Sequence, residues 1–147
     1  MRGLITDRTQ IDVDRCKALA EMGWDNLTPE EQNEWYTTAA KGAYNYTDLN
    51  RVEAAVSALS EHFSLGLVVK TDWNMWDVPT QSDMARYLAN IDAIRKKIYA
   101  SMNLPTVPVT MGGFTYEAAN NLEKILDAAF QIADATPASG EIFSGEV

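Results

Sequence analysis

The stretch TDLNRVEAAVSALSEHF, residues 47–63, decides the fold class of this 147-residue chain. Its apolar residues alternate three and four positions apart, from Leu49 through Val56 to Phe63. That spacing places them on one face of an α-helix, and the hydroxyl of Thr47 can accept a hydrogen bond from the first turn. The stretch therefore predicts a long helix with one buried face.

Outward from this stretch, the same two signals predict further helices. Each begins behind a side-chain oxygen that can cap the first turn, and the later ones carry a clear apolar stripe. The predicted helices are Gln10 to Met22 behind Thr9, one behind Thr28 that ends near Lys41–Gly42, one behind Thr80, and one behind Thr115 that ends at Thr136–Pro137. We therefore expect a mainly α protein, a small bundle of four to five helices in a single domain over residues 1–147.

The connectors and both ends of the chain have extended character. Residues 67–70 (LVVK) form a short apolar, β-branched run that predicts a strand. We expect extended arms over residues 1–8 and 138–147, the second with Ile142 and Phe143 as its apolar side chains. Such arms are natural edges for pairing with another subunit.

One short string occurs twice. NRVE, residues 50–53, is echoed by NNLE, residues 120–123, and each lies behind a threonine and an aromatic residue. The match covers few residues, and Thr47 and Thr115 stand at different distances from it. Two related helical halves would explain the echo, but the shortness of the match favours coincidence.

Composition excludes several classes of function. Lys plus Arg number 12 and Asp plus Glu number 21, which gives a formal charge of −9. Nucleic acids and anionic membrane surfaces are poor partners for such a chain, because both are bound through clustered basic residues. No apolar run is long enough for a membrane span, and the first residues lack the pattern of a signal peptide.

The residues give no pattern for catalysis, for a cofactor or for a metal ion. Cys16 and His62 are the only residues of their types, which excludes a disulfide and paired-histidine metal motifs. An EF-hand-like stretch, residues 72–77, has Trp76 in place of a ligand and Asp77 in place of the glycine. Acidic residues fall in first helical turns, where they complement the positive end of the helix. We therefore expect a protein that is not an enzyme.

Aromatic residues are dense in the loops and helix starts. If Trp73 and Trp76 are exposed, their flat rings would suit a saccharide-binding platform. The alternative is a structural role, in which such rings fill gaps between short helices. Tyr44 and Tyr46 flank a helix start and are candidates for docking that helix. Asn45 and Asn50, near the same start, are interpreted as capping or loop-fixing groups.

Several strings resemble proteins of the tail gene modules of phages and prophages of Gram-positive, often gut-dwelling bacteria. They are spread over nearly the whole chain: LITDRT (4–9), KGAYN (41–45), TDLNRVE (47–53), KTDW (70–73) and SGEIFSGE (139–146). The LNRVE-type string is moderately specific.

The resemblance implies a virion structural protein of the tail or baseplate region, present in the host cytoplasm before assembly. It implies other tail or baseplate proteins as partners and several copies around a symmetry axis. It assigns no catalytic, cofactor-binding or metal-binding residue. Two alternatives stay open: a host-surface saccharide-binding module that uses exposed Trp and Tyr, and a small hydrolase of cell-wall sugars, which would need two carboxylates in one cleft.

Overall fold

The computed structural model describes residues 3–37, 39–98 and 103–135. Within these ranges the chain is mainly helical, as the apolar periodicity predicts, and contains no strand. The helices are α1 (Gln10–Met22), α2 (Pro29–Tyr36), α3 (Tyr46–Phe63), α4 (Gln81–Ile98) and α5 (Tyr116–Ala135), with short 3-10 turns at Trp24–Asn26 and Ala39–Gly42.

The helices pack as two bodies with separate apolar cores. Helices α3, α4 and α5 pack against one another and form the bundle, whose core includes Leu59, Ile91 and Leu122. Helices α1 and α2 and the two 3-10 turns pack together and form the lobe, residues 10–37 and 39–42. The smaller core of the lobe consists of Leu19, Leu27 and Ala39, with Trp35 packed against it.

The predicted helix starts are confirmed for α1, α2, α4 and α5. Thr9 and Thr28 cap their helices in reciprocal capping boxes, and Thr80 makes the same exchange with Asp83. The Oγ1 atom of Thr115 accepts a hydrogen bond from Ala118 N. These caps satisfy backbone N–H groups that the first turn leaves without a partner.

Two predicted boundaries are wrong. Helix α2 ends at Tyr36 instead of near Lys41–Gly42, and residues Ala39–Gly42 form a separate 3-10 turn. The turn brings Gly42 onto α1, where a Cβ at that position would lie 2.1 Å from the carbonyl oxygen of Asp12. Helix α3 begins at Tyr46 behind Asn45, whose Oδ1 accepts from Thr47 N at 2.9 Å.

The strand predicted at residues 67–70 is also wrong. This segment is extended, but side chains rather than a second strand bind its backbone. Ser60 Oγ accepts from Leu67 N, and Asn90 Nδ2 donates to Val68 O. The β-branched run therefore lies on helices instead of in a sheet.

Of the two predicted arms, only the first, from residue 3 onward, lies within the described residues. Residues 4–8 belong to no helix or strand and lie against α5 of the same chain. Residues 138–147, with Ile142 and Phe143, lie outside the described residues, as do Thr136 and Pro137.

Candidate functional site

Two polar side chains on one face of α5 hold the extended segment 5–8. Asn120 Oδ1 accepts from Arg8 N at 3.0 Å, and Asn120 Nδ2 donates to Arg8 O at 2.9 Å. Three positions along the helix, Glu123 Oε1 accepts from Ile5 N at 2.9 Å. Because residues three apart share a helix face, the pair binds the segment much as a neighbouring strand would. We call Asn120 and Glu123 the α5 clamp.

Helix α3 repeats this arrangement around segment 70–73. Asn50 Oδ1 accepts from Trp73 N and Asn50 Nδ2 donates to Trp73 O, both at 2.8 Å. Glu53 Oε1 accepts from Lys70 N at 3.1 Å. We call Asn50 and Glu53 the α3 clamp, and its three backbone contacts match those of the α5 clamp one for one.

The carboxylate of the α5 clamp is fully buried between two guanidinium groups. Glu123 Oε2 lies 2.7 Å from Arg8 Nη2 and 2.7 Å from Arg51 Nη2, and Glu123 Oε1 accepts from Arg51 Nε at 2.8 Å. Asp48 bridges the same two arginines, at 3.2 Å and 2.6 Å. Burial alone lowers the pKa of Arg51, but the hydrogen bonds and charges of Glu123 and Asp48 raise it above its usual value. Two cations and two carboxylates therefore neutralise one another inside the protein.

The carboxylate of the α3 clamp has one cationic partner. Glu53 accepts from Arg86 Nη1 at 2.6 Å and from Arg86 Nη2 at 2.9 Å. Its Oε2 also accepts from the indole Nε1 of Trp73 at 2.8 Å. The hydrogen bond to Glu53 raises the pKa of Arg86. This bidentate geometry is the one in which guanidinium and carboxylate bind most strongly.

The matching clamps show that the echo of NRVE in NNLE is not coincidence. Helix α3 is capped by Asn45 rather than Thr47. Each cap, Asn45 or Thr115, therefore precedes the asparagine of its clamp by the same number of residues. Further pairs 70 positions apart are Gly42 with Gly112, Tyr44 with Phe114, and Tyr46 with Tyr116. The segments before α1 and α4 match too: Thr6-Asp7 corresponds to Thr71-Asp72, and the pattern TQxDxxR starts at both Thr9 and Thr80.

The sequence reasoning missed the charged core of both clamps. Glu53 and Glu123 lie within the apolar stripes of their helices and are 1% and 0% exposed. A carboxylate on a buried stripe must be paired, and the echoed string was the signal that could have identified both. The prediction that Asn45 and Asn50 cap or fix backbone is confirmed.

The matching clamps and segments define two repeats, the first from Ile5 through α3 and the second from Lys70 through α5, and Tyr44 lies at the contact between them. Its ring meets that of Phe114, its counterpart, edge to face at 5.1 Å between centroids, and the Arg8 guanidinium lies 5.4 Å from its centroid. Its hydroxyl is hydrogen-bonded to that of Tyr87, and burial raises the pKa of both groups. Tyr44 and Tyr46 pack against the bundle core, as expected of side chains that dock α3.

The two predicted platform tryptophans do not lie on one surface. Trp73 is 5% exposed, because its indole is held by Glu53 and its ring is covered by Lys70 Nζ at 4.9 Å from the centroid. A platform that uses Trp73 and Trp76 together is therefore wrong. Trp76 is 83% exposed, and the nearby Val78 is 85% exposed.

An open groove lies beside the start of α4, and its lining begins at Pro79, the residue after the exposed Val78. It has a volume of about 550 Å³, and none of its lining residues is charged. The lining comprises Pro79, Thr80, Gln81, Met84, Ala85, Val109, Thr110, Met111 and Gly112. The exposed Val109 forms part of one wall. We call this feature the α4 groove.

The corresponding place beside α1 is charged. A groove of about 430 Å³ lies there, with Lys17, Lys41 and Glu117 among its lining residues. Met111 of the α4 groove corresponds to Lys41 here, so the two repeats present surfaces of opposite character at equivalent positions.

The described residues contain no group of three or more His, Cys, Asp or Glu side chains placed to hold a metal ion. Cys16 is buried, and burial raises the pKa of its thiol. The ring of His62 lies 5.0 Å from that of Phe63, at the edge of the apolar face. No helix in the described ranges is long and apolar enough to cross a membrane.

Comparisons with protein-family models, with curated proteins and with solved structures found no match.

Proposed function

We propose that this chain is a virion structural protein of a phage or phage-like tail or baseplate, where it is a non-catalytic assembly and interaction subunit. Two kinds of observation support the proposal. The sequence strings resemble tail-module proteins over nearly the whole chain. In addition, the buried carboxylates of Asp48, Glu53 and Glu123 are bound by arginines that fix the fold, which leaves them no role as acid or base.

The α4 groove and its rim are the observation that carries the proposal. Val109, in the wall of this uncharged groove, is more than four-fifths exposed, and so are Trp76 and Val78, which precede the lining residue Pro79 along the chain. Large exposed apolar side chains that adjoin a groove are typical of a surface that another protein covers. A tryptophan contributes a large area to such a contact, because aromatic side chains bury about 150–250 Å² each.

The charge of the chain fits assembly through this surface. Free subunits with a formal charge of −9 repel one another, which keeps them apart before assembly. An uncharged contact surface avoids that repulsion, and burying it needs no partner for a desolvated charge. The partners we propose are other tail or baseplate proteins, with several copies of this chain in one particle.

Cross-linking mass spectrometry on purified particles tests the role. We expect the wild-type chain in intact particles, with its lysines linked to tail or hub proteins. Absence from intact particles, with abundant protein in the lysate, would overturn the proposal.

A pair of variants tests the surface. We expect Trp76→Ala to lower incorporation into particles at least fivefold without changing the thermal unfolding midpoint. Tyr36→Ala is the matched control, because Tyr36 is 72% exposed on the lobe. Equal incorporation of both variants would exclude the α4 groove as the assembly surface.

The alternative, a host-surface saccharide-binding module, now depends on Trp76 without Trp73. One exposed ring can still stack on a sugar. A glycan array probed with wild-type protein and with Trp76→Ala decides it: specific signals lost in the variant would favour the alternative, and a silent array would exclude it.

A further inference from the structure

The two clamps divide the chain into two repeats that hold each other. The first repeat runs from the segment at Ile5 through α1 to α3, and the second runs from the segment at Lys70 through α4 to α5. The leading segment of each repeat is bound by the last helix of the other. This is the arrangement of two intertwined copies of one unit, here joined in a single chain.

The α5 clamp binds a segment from far along the chain. Ile5 and Arg8 contact residues that are 112 to 118 positions away. The contacts that fix the segment use its own backbone, the Arg8 side chain and the Leu4 side chain, which is buried in the bundle core, so the bundle recognises the segment rather than its covalent surroundings.

The segment can leave α5 without unpacking the lobe that follows it. The lobe has its own apolar core, and α1 packs chiefly against Ala39–Gly42 rather than against the bundle. The ion pair between Asp7 and Lys41, 3.0 Å apart, links segment and lobe and can move with them. Segment 70–73 differs, because it joins α3 directly to α4 and both helices lie in the bundle.

We propose that residues 4–8 of one copy occupy the α5 clamp of a neighbouring copy when the protein forms its homo-oligomer. The exchanged contacts are the same as the internal ones. The equilibrium between internal binding of the segment and its binding to a neighbouring copy therefore depends on local concentration rather than on new contacts. At the roughly millimolar effective concentrations of closely placed copies, exchange competes with internal closure. This proposal goes beyond the virion role and does not depend on it, since a purified chain can exchange its segment whatever its biological setting.

Complementary full-length variants test the exchange. Arg8→Ala breaks the segment and leaves the clamp intact, whereas Asn120→Ala breaks the clamp and leaves the segment intact. We unfold both in urea, refold them together at high concentration and measure dimers by native mass spectrometry. Only a mixed dimer restores one complete clamp, so we expect it to exceed each homodimer at least tenfold, against roughly twofold for random pairing.

The second clamp supplies the matched control. Trp73→Ala mixed with Asn50→Ala is expected to give no excess of mixed dimer, because segment 70–73 is tethered at both ends within the bundle. A mixed dimer at or below the random ratio for the first pair, or an equal excess for the control pair, would overturn the proposal.

A measurement with both clamps intact covers the case in which a variant does not fold. A diazirine analogue of leucine replaces the half-buried Ile5 in isotopically heavy protein, which is mixed with light wild-type protein and illuminated. We expect cross-links from heavy position 5 to light α5 peptides, increasing with concentration. Cross-links only within heavy chains at every concentration would overturn the exchange and leave the virion role untouched.

Discussion

The α5 clamp and the α3 clamp share one backbone-binding pattern but differ in the side chain at their centre. Arg8 brings a charge into the α5 clamp, and two carboxylates and a second arginine accompany it. Trp73 brings a neutral indole into the α3 clamp, where one arginine balances one carboxylate. The asparagine and the glutamate are thus the common elements, and the number of arginines follows the number of carboxylates.

The two clamps also differ in whether every N–H group of the central side chain has a hydrogen-bond partner. The single N–H of the Trp73 indole is bonded to Glu53. Among the described residues, one buried side-chain nitrogen or oxygen atom has no hydrogen-bond partner, and this atom is Arg8 Nε. The guanidinium therefore fits less completely than the indole, which makes the α5 clamp depend more strongly on its charges.

The largest expected effect is the loss of a clamp carboxylate. Glu123→Gln leaves Arg8 and Arg51 with one carboxylate between them, and Arg8 is almost fully buried. We expect the free energy of unfolding to fall by about 3–5 kcal/mol in urea denaturation. Glu53→Gln is expected to cost about 2–3 kcal/mol, because the Arg86 side chain is already 24% exposed and can turn to solvent.

The prediction is contradicted if Glu123→Gln and Glu53→Gln lose the same free energy of unfolding. Equal losses would mean that the second arginine does not make the α5 clamp more dependent on its charges. Glu61→Gln is the control within α3, because Glu61 is exposed and is expected to change stability by less than about 0.5 kcal/mol.

The next effect is local to each segment. Asn120→Ala leaves the N–H and carbonyl of Arg8 without partners, at an expected cost of about 2–3 kcal/mol. Asn50→Ala does the same at Trp73, where the hydrogen bonds are less buried because Asn50 itself is partly exposed, and the expected cost is about 1–2 kcal/mol.

Amide hydrogen exchange checks the assignment of each asparagine. The Arg8 amide is expected to lose protection in Asn120→Ala and the Trp73 amide in Asn50→Ala, each by more than the global change. Loss of protection at both amides in either single variant would show that the clamps open together rather than separately.

How far the sequence predicts this molecule follows from what each signal encodes. Caps and apolar spacing are local, so α1 was predicted at its observed bounds, and the stripe of α4 is buried as expected. The packing of Gly42 against α1 and the binding of residues 67–70 by Ser60 and Asn90 both depend on other elements. Those contacts join distant residues, which periodicity cannot show.

The residues of the candidate site also divide into those that local signals predict and those that depend on distant contacts. Docking of α3 by Tyr44 could be anticipated from its place beside the cap, whereas the burial of Trp73 depends on a carboxylate twenty positions away. The echoed string carried the information, but its meaning required knowing that Asn45, not Thr47, caps α3.

The hydroxyl pair of Tyr44 and Tyr87 gives the third effect and sharpens the comparison of repeats, since the counterpart Phe114 has no hydroxyl. Tyr44→Phe leaves the buried Tyr87 hydroxyl without a partner, at an expected cost of about 1–2 kcal/mol. Tyr44→Phe combined with Tyr87→Phe removes both polar groups and is expected to recover most of that loss. Urea denaturation of the double-mutant cycle tests this, and a purely additive double variant would contradict it.

The smallest effect compares Asp7 with its counterpart Asp72. A hydrogen bond to Lys41 holds the pKa of Asp7 below its usual value, and a hydrogen bond to Lys70 does the same for Asp72. A lowered carboxyl pKa contributes stability above the pKa of the unfolded chain, and that contribution disappears as the pH falls through the folded value.

The two aspartates should nevertheless differ in what they contribute to folding. Lys70 stands two positions from Asp72, so the unfolded chain can form the same pair, whereas Lys41 meets Asp7 only when the segment lies beside the lobe. Lys41→Ala is therefore expected to lower stability at neutral pH by a few tenths of a kcal/mol, with the difference vanishing in acid. Lys70→Ala is expected to raise the pKa of Asp72, measured by NMR titration, and its loss of stability is expected to be independent of pH, because that loss comes from the contact between Lys70 and the Trp73 ring. An equal pH-dependent change in stability for both variants would show that the Asp7 pair is as local as that of Asp72, and that segment and lobe are not coupled through it.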